Sequence, residues 1–217
     1  MNHYKSLPQL SEEEIRVLGS LIEKSKTTLE YYPLSLNSLT AACNQKSSRK
    51  PVVEYDEATV QHALNSLKGQ SLVSVAIGGG SRTIKYKHNF TTVYPLSEGE
   101  LAILCLLFLR GPLTPGEINS ISGRLHEFSS LESVIEQLHN MSQNENPFIK
   151  EMPKLAGQKE SRYVHLLGDK MPVFTENLLN GNEKKQDSEI ELRIHQLEKQ
   201  VVEMKAILDD LIRELKG

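Results

Sequence analysis

The chain repeats itself, and a repeat restricts a fold strongly, because each copy has to build the same supersecondary unit. Leu10-Ser11-Glu12-Glu13-Glu14-Ile15 recurs as Leu96-Ser97-Glu98-Gly99-Glu100-Leu101, 86 residues later. In each copy a serine precedes carboxylates. That supplies an N-cap side chain and puts negative charge at the positive end of a helix dipole. The first helix then carries Ile15, Leu18, Leu21 and Ile22 at helical spacing. The second carries Leu101, Leu104, Leu107 and Phe108, each 86 residues after its counterpart. The register therefore holds through the whole helix.

A second, shorter helix opens at 33–39 in the first copy and at 113–118 in the second. There Thr114 reads as an N-cap, with Pro115 at the first helical position, where its missing N–H costs nothing. A third helix begins at Asp56, with Val60, Ala63, Leu64 and Leu67 on one face, and again near Ser130, with Leu131, Val134, Ile135 and Leu138. Strand-type sequence follows each third helix. Residues 72–77 and 82–87 flank Gly78-Gly79-Gly80, and residues 148–150 and 161–166 flank a turn around Gly157. Three helices closed by a hairpin predict a winged helix, and the same order occurs twice.

The end of the chain changes character. Ile190, Ile194, Leu197, Val201, Met204, Leu208, Leu211 and Leu215 follow one another in alternating steps of 4 and 3. That is a heptad seam with Ile194, Val201, Leu208 and Leu215 at a. β-branched residues at the first two a positions favour a homodimer through the coil. Ile207 and Ile212 widen the apolar face, which leaves open a higher oligomer or a helix folded back on its own chain. The expected fold class is mainly α with small β-hairpins (α+β). Two tandem winged-helix domains would span 1–92 and 93–167, with a linker at 168–187 and a coiled-coil helix at 188–217.

One stretch carries a family resemblance. Tyr31 to Val52, YYPLSLNSLTAACNQKSSRKPV, resembles the signature of the YceH-like family of uncharacterised bacterial proteins. LRGPLTPGEI at 109–118 and GQKESRYVHL at 157–166 look like the corresponding family segments. The resemblance implies a tandem winged-helix fold. It implies no activity, substrate or cofactor.

Charge distribution separates the two copies. Net charge is −3, yet residues 1–90 carry 11 Lys/Arg against 8 Asp/Glu, while residues 91–167 carry 6 against 9. The first copy is therefore the better candidate for double-stranded DNA. Its third helix offers Gln61, Asn65 and Lys68, residue types that read base edges or reach phosphate. Its wing offers Arg82, Lys85 and Lys87, with His88 beside them. The loop after its second helix adds Asn44, Gln45, Lys46, Arg49 and Lys50. A solvated surface carries the same charges, and Asp56 and Glu57 oppose phosphate, so an assembly module docking a partner protein remains the alternative. The second copy has Glu132 and Glu136 on its third helix and offers Lys159, Arg162 and Tyr163 on its wing, a mixed surface suited to a protein partner.

Other classes lack support. Cys43 and Cys105 are far apart and read as buried thiols, and no CxxC, HxH or HExxH motif provides a metal site. The 7 histidines are scattered, no catalytic set is recognisable, and the glycine triplet lacks the GK[ST] of a phosphate loop. No enzyme and no cofactor are expected. The longest apolar run, 101–109, is far below the ~20 residues that span a bilayer, and residues 1–10 lack an apolar signal core. A cytoplasmic location without membrane contact is the expectation.

Overall fold

The computed structural model describes residues 7–76, 83–154 and 158–168. Arg82, the glycine triplet, the linker from residue 169 and the heptad positions 190–215 lie outside the described residues. The described residues belong to one compact unit.

The first repeat runs α1 (Glu12–Thr27), a 3-10 turn (Leu29–Tyr31), β1 (Leu34–Ser35), α2 (Leu36–Cys43), α3 (Glu57–Gly69), β2 (Val73–Ala76) and β3 (Lys85–His88). A helical turn, α4 (Phe90–Val93), leads into α5 (Glu98–Arg110), α6 (Pro115–Ile121), α7 (Leu131–Gln143), β4 (Ile149–Glu151) and β5 (Tyr163–His165). The fold is thus α+β, with seven α-helices and small antiparallel sheets among the described residues.

Local chemistry sets the helix starts. Ser11 with Glu14, Ser97 with Glu100, and Thr114 with Glu117 form reciprocal capping boxes. Ser35, Asp56 and Ser130 cap α2, α3 and α7 with their side chains. Aligning these caps gives a sequence offset of 86 for the first helices, 79 for the second and 74 for the third. Insertions therefore fall in loops and the helices keep their faces.

The sheets also correspond. β1 and β2 flank β3, with Leu34 opposite Tyr86 and Val73 opposite His88. In the second repeat β4 pairs with β5, Ile149 opposite His165, and Leu113 bridges Tyr163 as Leu34 bridges Tyr86. The outer strand of each sheet went unread in the sequence, because two residues or one are too few for an alternation signal.

The core runs through both repeats. Residues from Glu14 to Ile22 of α1 and from Leu101 to Leu109 of α5 are buried without interruption. Such helices are covered on every side, and here they pack on each other. Gly19 and Cys105 hold equivalent positions, and the Cys105 thiol donates to the Gly19 carbonyl at 3.5 Å. Equivalent residues meet in this way when two units are related by a local two-fold. The approach is close: a Cβ on Gly19 would lie 3.0 Å from Phe108 Cβ and from Leu109 Cδ2. Leu10 N–H donates to the Leu167 carbonyl at 2.7 Å, so the start of the first repeat is tied to the end of the second.

Candidate nucleic-acid interface

Helix α3 turns its apolar stripe, Val60, Ala63, Leu64 and Leu67, into the core, so two polar strips remain. Gln61, Asn65 and Lys68 form the first. Asn65 and Lys68 are exposed, and half-buried Gln61 donates to Asn65 Oδ1 at 3.1 Å. The Tyr86 hydroxyl donates to Gln61 Oε1 at 3.2 Å, which ties this strip to β3. Lys85 and Lys87 flank Tyr86 and project from the opposite face of the strand by its two-residue period. Lys87 is exposed and Lys85 partly so. The second strip, with His62 and Ser66, lines a groove of about 470 Å³ walled by Glu13 and Glu14 of α1. That flank is acidic and does not suit phosphate.

The acidic start of α3 is engaged locally. Asp56 Oδ1 accepts from the Thr59 N–H at 2.8 Å, and Glu57 accepts from the Asn37 amide at 3.3 Å. Hydrogen bonds to Thr59 hold the Asp56 carboxyl below the usual carboxylate range.

The loop after α2 differs from its reading as a phosphate-gripping surface. The Arg49 side chain is 0% exposed and its guanidinium forms a bidentate pair with Glu23 at 3.0 and 2.7 Å. Arg49 also donates to the carbonyls of Ala42 and Ser48. Arg16, also buried, donates to the carbonyls of Cys43 and Pro51. Ala42 and Cys43 end α2, so two guanidinium groups satisfy carbonyls that a helix C-terminus leaves without partners. Asn44 is occupied as well. Its side chain donates to the Tyr55 carbonyl at 2.7 Å and accepts from the Tyr55 N–H at 2.9 Å. Arg49 and Asn44 are anchors, and Lys46 and Lys50 are the exposed cations of this loop. Half-buried Gln45 accepts from Lys24 at 3.4 Å. The loop is pinned to α1 through Glu23 and to α5 through the Lys50 N–H, which donates to the Leu109 carbonyl at 2.8 Å. It therefore sits at the seam between the repeats, while the Gln61–Asn65–Lys68 strip is anchored to β3.

The residues expected in the wings divide in the same way. His88 is largely buried, its Nε2 lies 3.1 Å from the Ser25 hydroxyl, and burial followed by the nearby Lys26 charge lowers its pKa to about 4. A neutral imidazole there does not bind phosphate. In the hairpin of the second repeat Arg162 makes a bidentate pair with Glu117 at 2.7 and 3.0 Å and donates to the Pro112 carbonyl. Tyr163 is buried and bridges Leu113. Of these three residues Lys159 alone is exposed.

Sequence reading missed Arg16 and Glu23, which hold the loop, since a charged residue in a helix reads as solvated until a second helix covers it. It also missed Arg110 and Arg124 at the seam. One signal was available: Lys24 and Arg110 are 86 residues apart, so each repeat ends its first helix on a cation.

Both thiols are free and buried. Burial pushes Cys43 up to about 11 and raises Cys105 further. Among the described residues, no group of three or more His, Cys, Asp or Glu is placed to hold a metal, and no helix is long and apolar enough to cross a membrane.

The chain has relatives along its length. A family model described as "Protein of unknown function, DUF480" matches residues 10–158, from the start of the first repeat to beyond β4 of the second. A UPF0502 protein of Shewanella oneidensis is 43% identical over 223 residues, covering 95% of this chain and 99% of the relative. A UPF0502 protein of Opitutus terrae is 48% identical over 168 residues, covering 77% of this chain and 73% of the relative. One from Shewanella baltica is 51% identical over 162 residues, covering 73% of each.

Proposed function

The chain belongs to the DUF480 (UPF0502) family of bacterial proteins, and from that premise we propose that it is a non-enzymatic, cytoplasmic protein that binds double-stranded DNA through the first of two tandem winged helices. The observation that carries this reading is the strip of Gln61, Asn65 and Lys68 on α3, held to β3 by the Tyr86 hydroxyl. A third helix with an amide-rich strip, tied to a strand that carries Lys85 and Lys87 on its other face, supports a docking of the winged-helix kind, in which the helix enters the major groove and the wing follows the backbone. Gln61 and Asn65 are residue types that pair with adenine, an exchange that would replace the hydrogen bond between them, and Lys68, Lys85 and Lys87 would supply phosphate contacts. Asp56 and Glu57 keep the first turn away from phosphate, so the contact runs along α3 from Gln61 onward.

Two protomers joined by the heptads of residues 188–217 would present two such helices, and the effective concentration of the second raises a weak affinity.

The test is fluorescence anisotropy of the full chain with labelled genomic DNA fragments across a salt series. Lys85→Glu with Lys87→Glu is expected to lower affinity at least tenfold and to reduce the salt slope by about two, near one per lost phosphate contact. Truncation after Asp187 is expected to weaken binding further. Absence of binding at low salt, or an unchanged slope in the double variant, defeats the proposal.

One observation favours a second reading for the second repeat. Ile135 is 45% exposed on α7, beside the exposed Glu132 and Glu136. An apolar side chain between carboxylates repels DNA and suits a partner protein.

A further inference from the structure

The seam between the repeats holds a cleft of about 180 Å³. Its lining draws equivalent residues from both repeats: Lys24 and Arg110 at an offset of 86, and Gln45 and Arg124 at the offset of 79 that relates α2 to α6. Leu106 and Leu109 form an apolar side, and Ser47 and Ser48 supply hydroxyls. Arg110 Nη2 donates to the Ser48 hydroxyl at 2.9 Å, which aims the guanidinium along the loop. Ser48 has a φ of 59°, the left-handed region that a residue with a Cβ occupies only when its surroundings hold it there.

The charge balance decides what the cleft attracts. The ends of α1, α5 and α6 and the loop just beyond α2 all line it. A helix C-terminus carries about half a negative charge, so four of them bring roughly −2. Glu23 adds one more. Against these stand Lys24, Arg110 and Arg124 in the lining, with Arg16 and Arg49 behind them on the end of α2. The dipoles and Glu23 therefore leave about two positive charges over. Glu23 is already paired with Arg49 and, at 3.5 Å, with Lys24, and among the described residues no carboxylate pairs with Arg110 or Arg124. A cation finds no free carboxylate here. A compact dianion finds two guanidinium groups that no carboxylate pairs, the Lys24 ammonium, which Glu23 shares at 3.5 Å, and the hydroxyl of exposed Ser47. The volume is below the ~300 Å³ at which pockets for drug-sized ligands begin, so the ligand is a small group or the head of a larger one.

We propose that this seam cleft binds a phosphoryl group, held by Arg124, Arg110 and Lys24 from both repeats at once. Guanidinium forks match the oxygens of phosphate, and the hydroxyls take the remaining bonds. The group comes either from a phosphorylated small molecule or from a DNA backbone. The site stands on its own residues and does not require the α3 interface.

The experiment is a titration of the full ¹⁵N-labelled chain with inorganic phosphate at constant ionic strength, with chloride as the control. Saturable shifts are expected in the amides of 45–48 and 121–125, and Arg124→Gln is expected to weaken the apparent affinity at least tenfold. Arg124 is exposed, so the variant keeps the fold, which its unshifted remaining spectrum verifies. Ser47→Asp, also at an exposed position, is expected to abolish the shifts by placing a carboxylate in the cleft. A second arm measures DNA affinity. If the phosphoryl group is a backbone phosphate, Arg124→Gln lowers the DNA salt slope by about one. If it belongs to a small molecule, the slope stays and only the phosphate titration responds. No saturable shift in the wild type, or the same curve in Arg124→Gln, overturns the proposal. Loss of DNA binding in the Lys85/Lys87 variant bears on the α3 interface alone and leaves this titration untouched.

Discussion

Replacing Arg49 by methionine tests whether the loop after α2 is an anchor or a surface. The change keeps most of the bulk and removes the charge. Arg49 is 0% exposed, donates twice to Glu23, twice to the Ala42 carbonyl and once to the Ser48 carbonyl. Its loss leaves Glu23, 14% exposed, with Lys24 at 3.5 Å as its remaining ion-pair partner. Removing one member of a buried pair costs about 3–5 kcal/mol. The stranded carbonyl at the end of α2 adds about 1–3 kcal/mol. Lys24 and residual solvation of Glu23 offset part of this, so the expected loss is about 3–4 kcal/mol in urea unfolding at pH 7. Adding Glu23→Gln to the Arg49→Met background removes the stranded charge and is expected to recover more than half of that loss. The pH dependence has a definite sign. Burial raises the Glu23 carboxyl, but the hydrogen bonds and charge of Arg49, then Lys24, outweigh it and hold it below its usual range. Its stabilisation is therefore full above the unfolded value of about 4.3 and is lost as pH falls through the lower folded value. The gap between wild type and Arg49→Met should narrow on the acid side. A loss below about 1 kcal/mol at pH 7, as for a surface pair, would refute the reasoning and return Arg49 to solvent and to phosphate.

Two further perturbations probe the shared core. Gly19→Val drives methyl groups into Phe108 and Leu109, where a Cβ alone already meets carbon at 3.0 Å. Overpacking of about 1–3 kcal/mol should lower Tm by roughly 3–10 °C in a chain of this size, and an unchanged melting curve would contradict the close helix crossing. His88 and His165 occupy equivalent positions in the two sheets, and burial brings each pKa down to about 4, with Lys26 adding to the effect at His88. Both are neutral when folded and titrate near 6.5 when unfolded, so their stabilisation is full above that pH and falls as pH drops toward 4. Each contributes on the order of 3 kcal/mol to that fall. His165→Leu, which keeps an apolar contact for Phe108, is expected to flatten the fall of the urea midpoint between pH 6.5 and 4.5. An unaltered slope would place the imidazole in solvent.

Much of the fold was legible because its signals are local. Ser11, Ser97, Thr114, Asp56 and Ser130 cap the helices that their sequence context predicts, and the 3.6-residue spacing of Val60, Ala63, Leu64 and Leu67 is the face that α3 buries. Capping and amphipathic periodicity act over a few residues, so they are written in neighbouring residues. The candidate site was legible by residue type alone. Asn65, Lys68 and Lys87 are exposed as a binding strip requires, whereas Arg49, Arg162 and Tyr163 are turned inward.

The repeat that the chain carries determines the order of elements, the caps and the apolar faces. Tertiary structure decided what those elements face. Packing α1 against α2, α3 and α5 buries its middle on every side and converts Arg16, Glu23 and Arg49 from solvated charges into a lock on the end of α2. The same packing brings Lys24, Arg110 and Arg124 to one cleft from three separate segments. A lysine or arginine looks the same in sequence whether it faces water or a carboxylate. The difference is the dielectric and the partner around it, and only long-range contacts supply those.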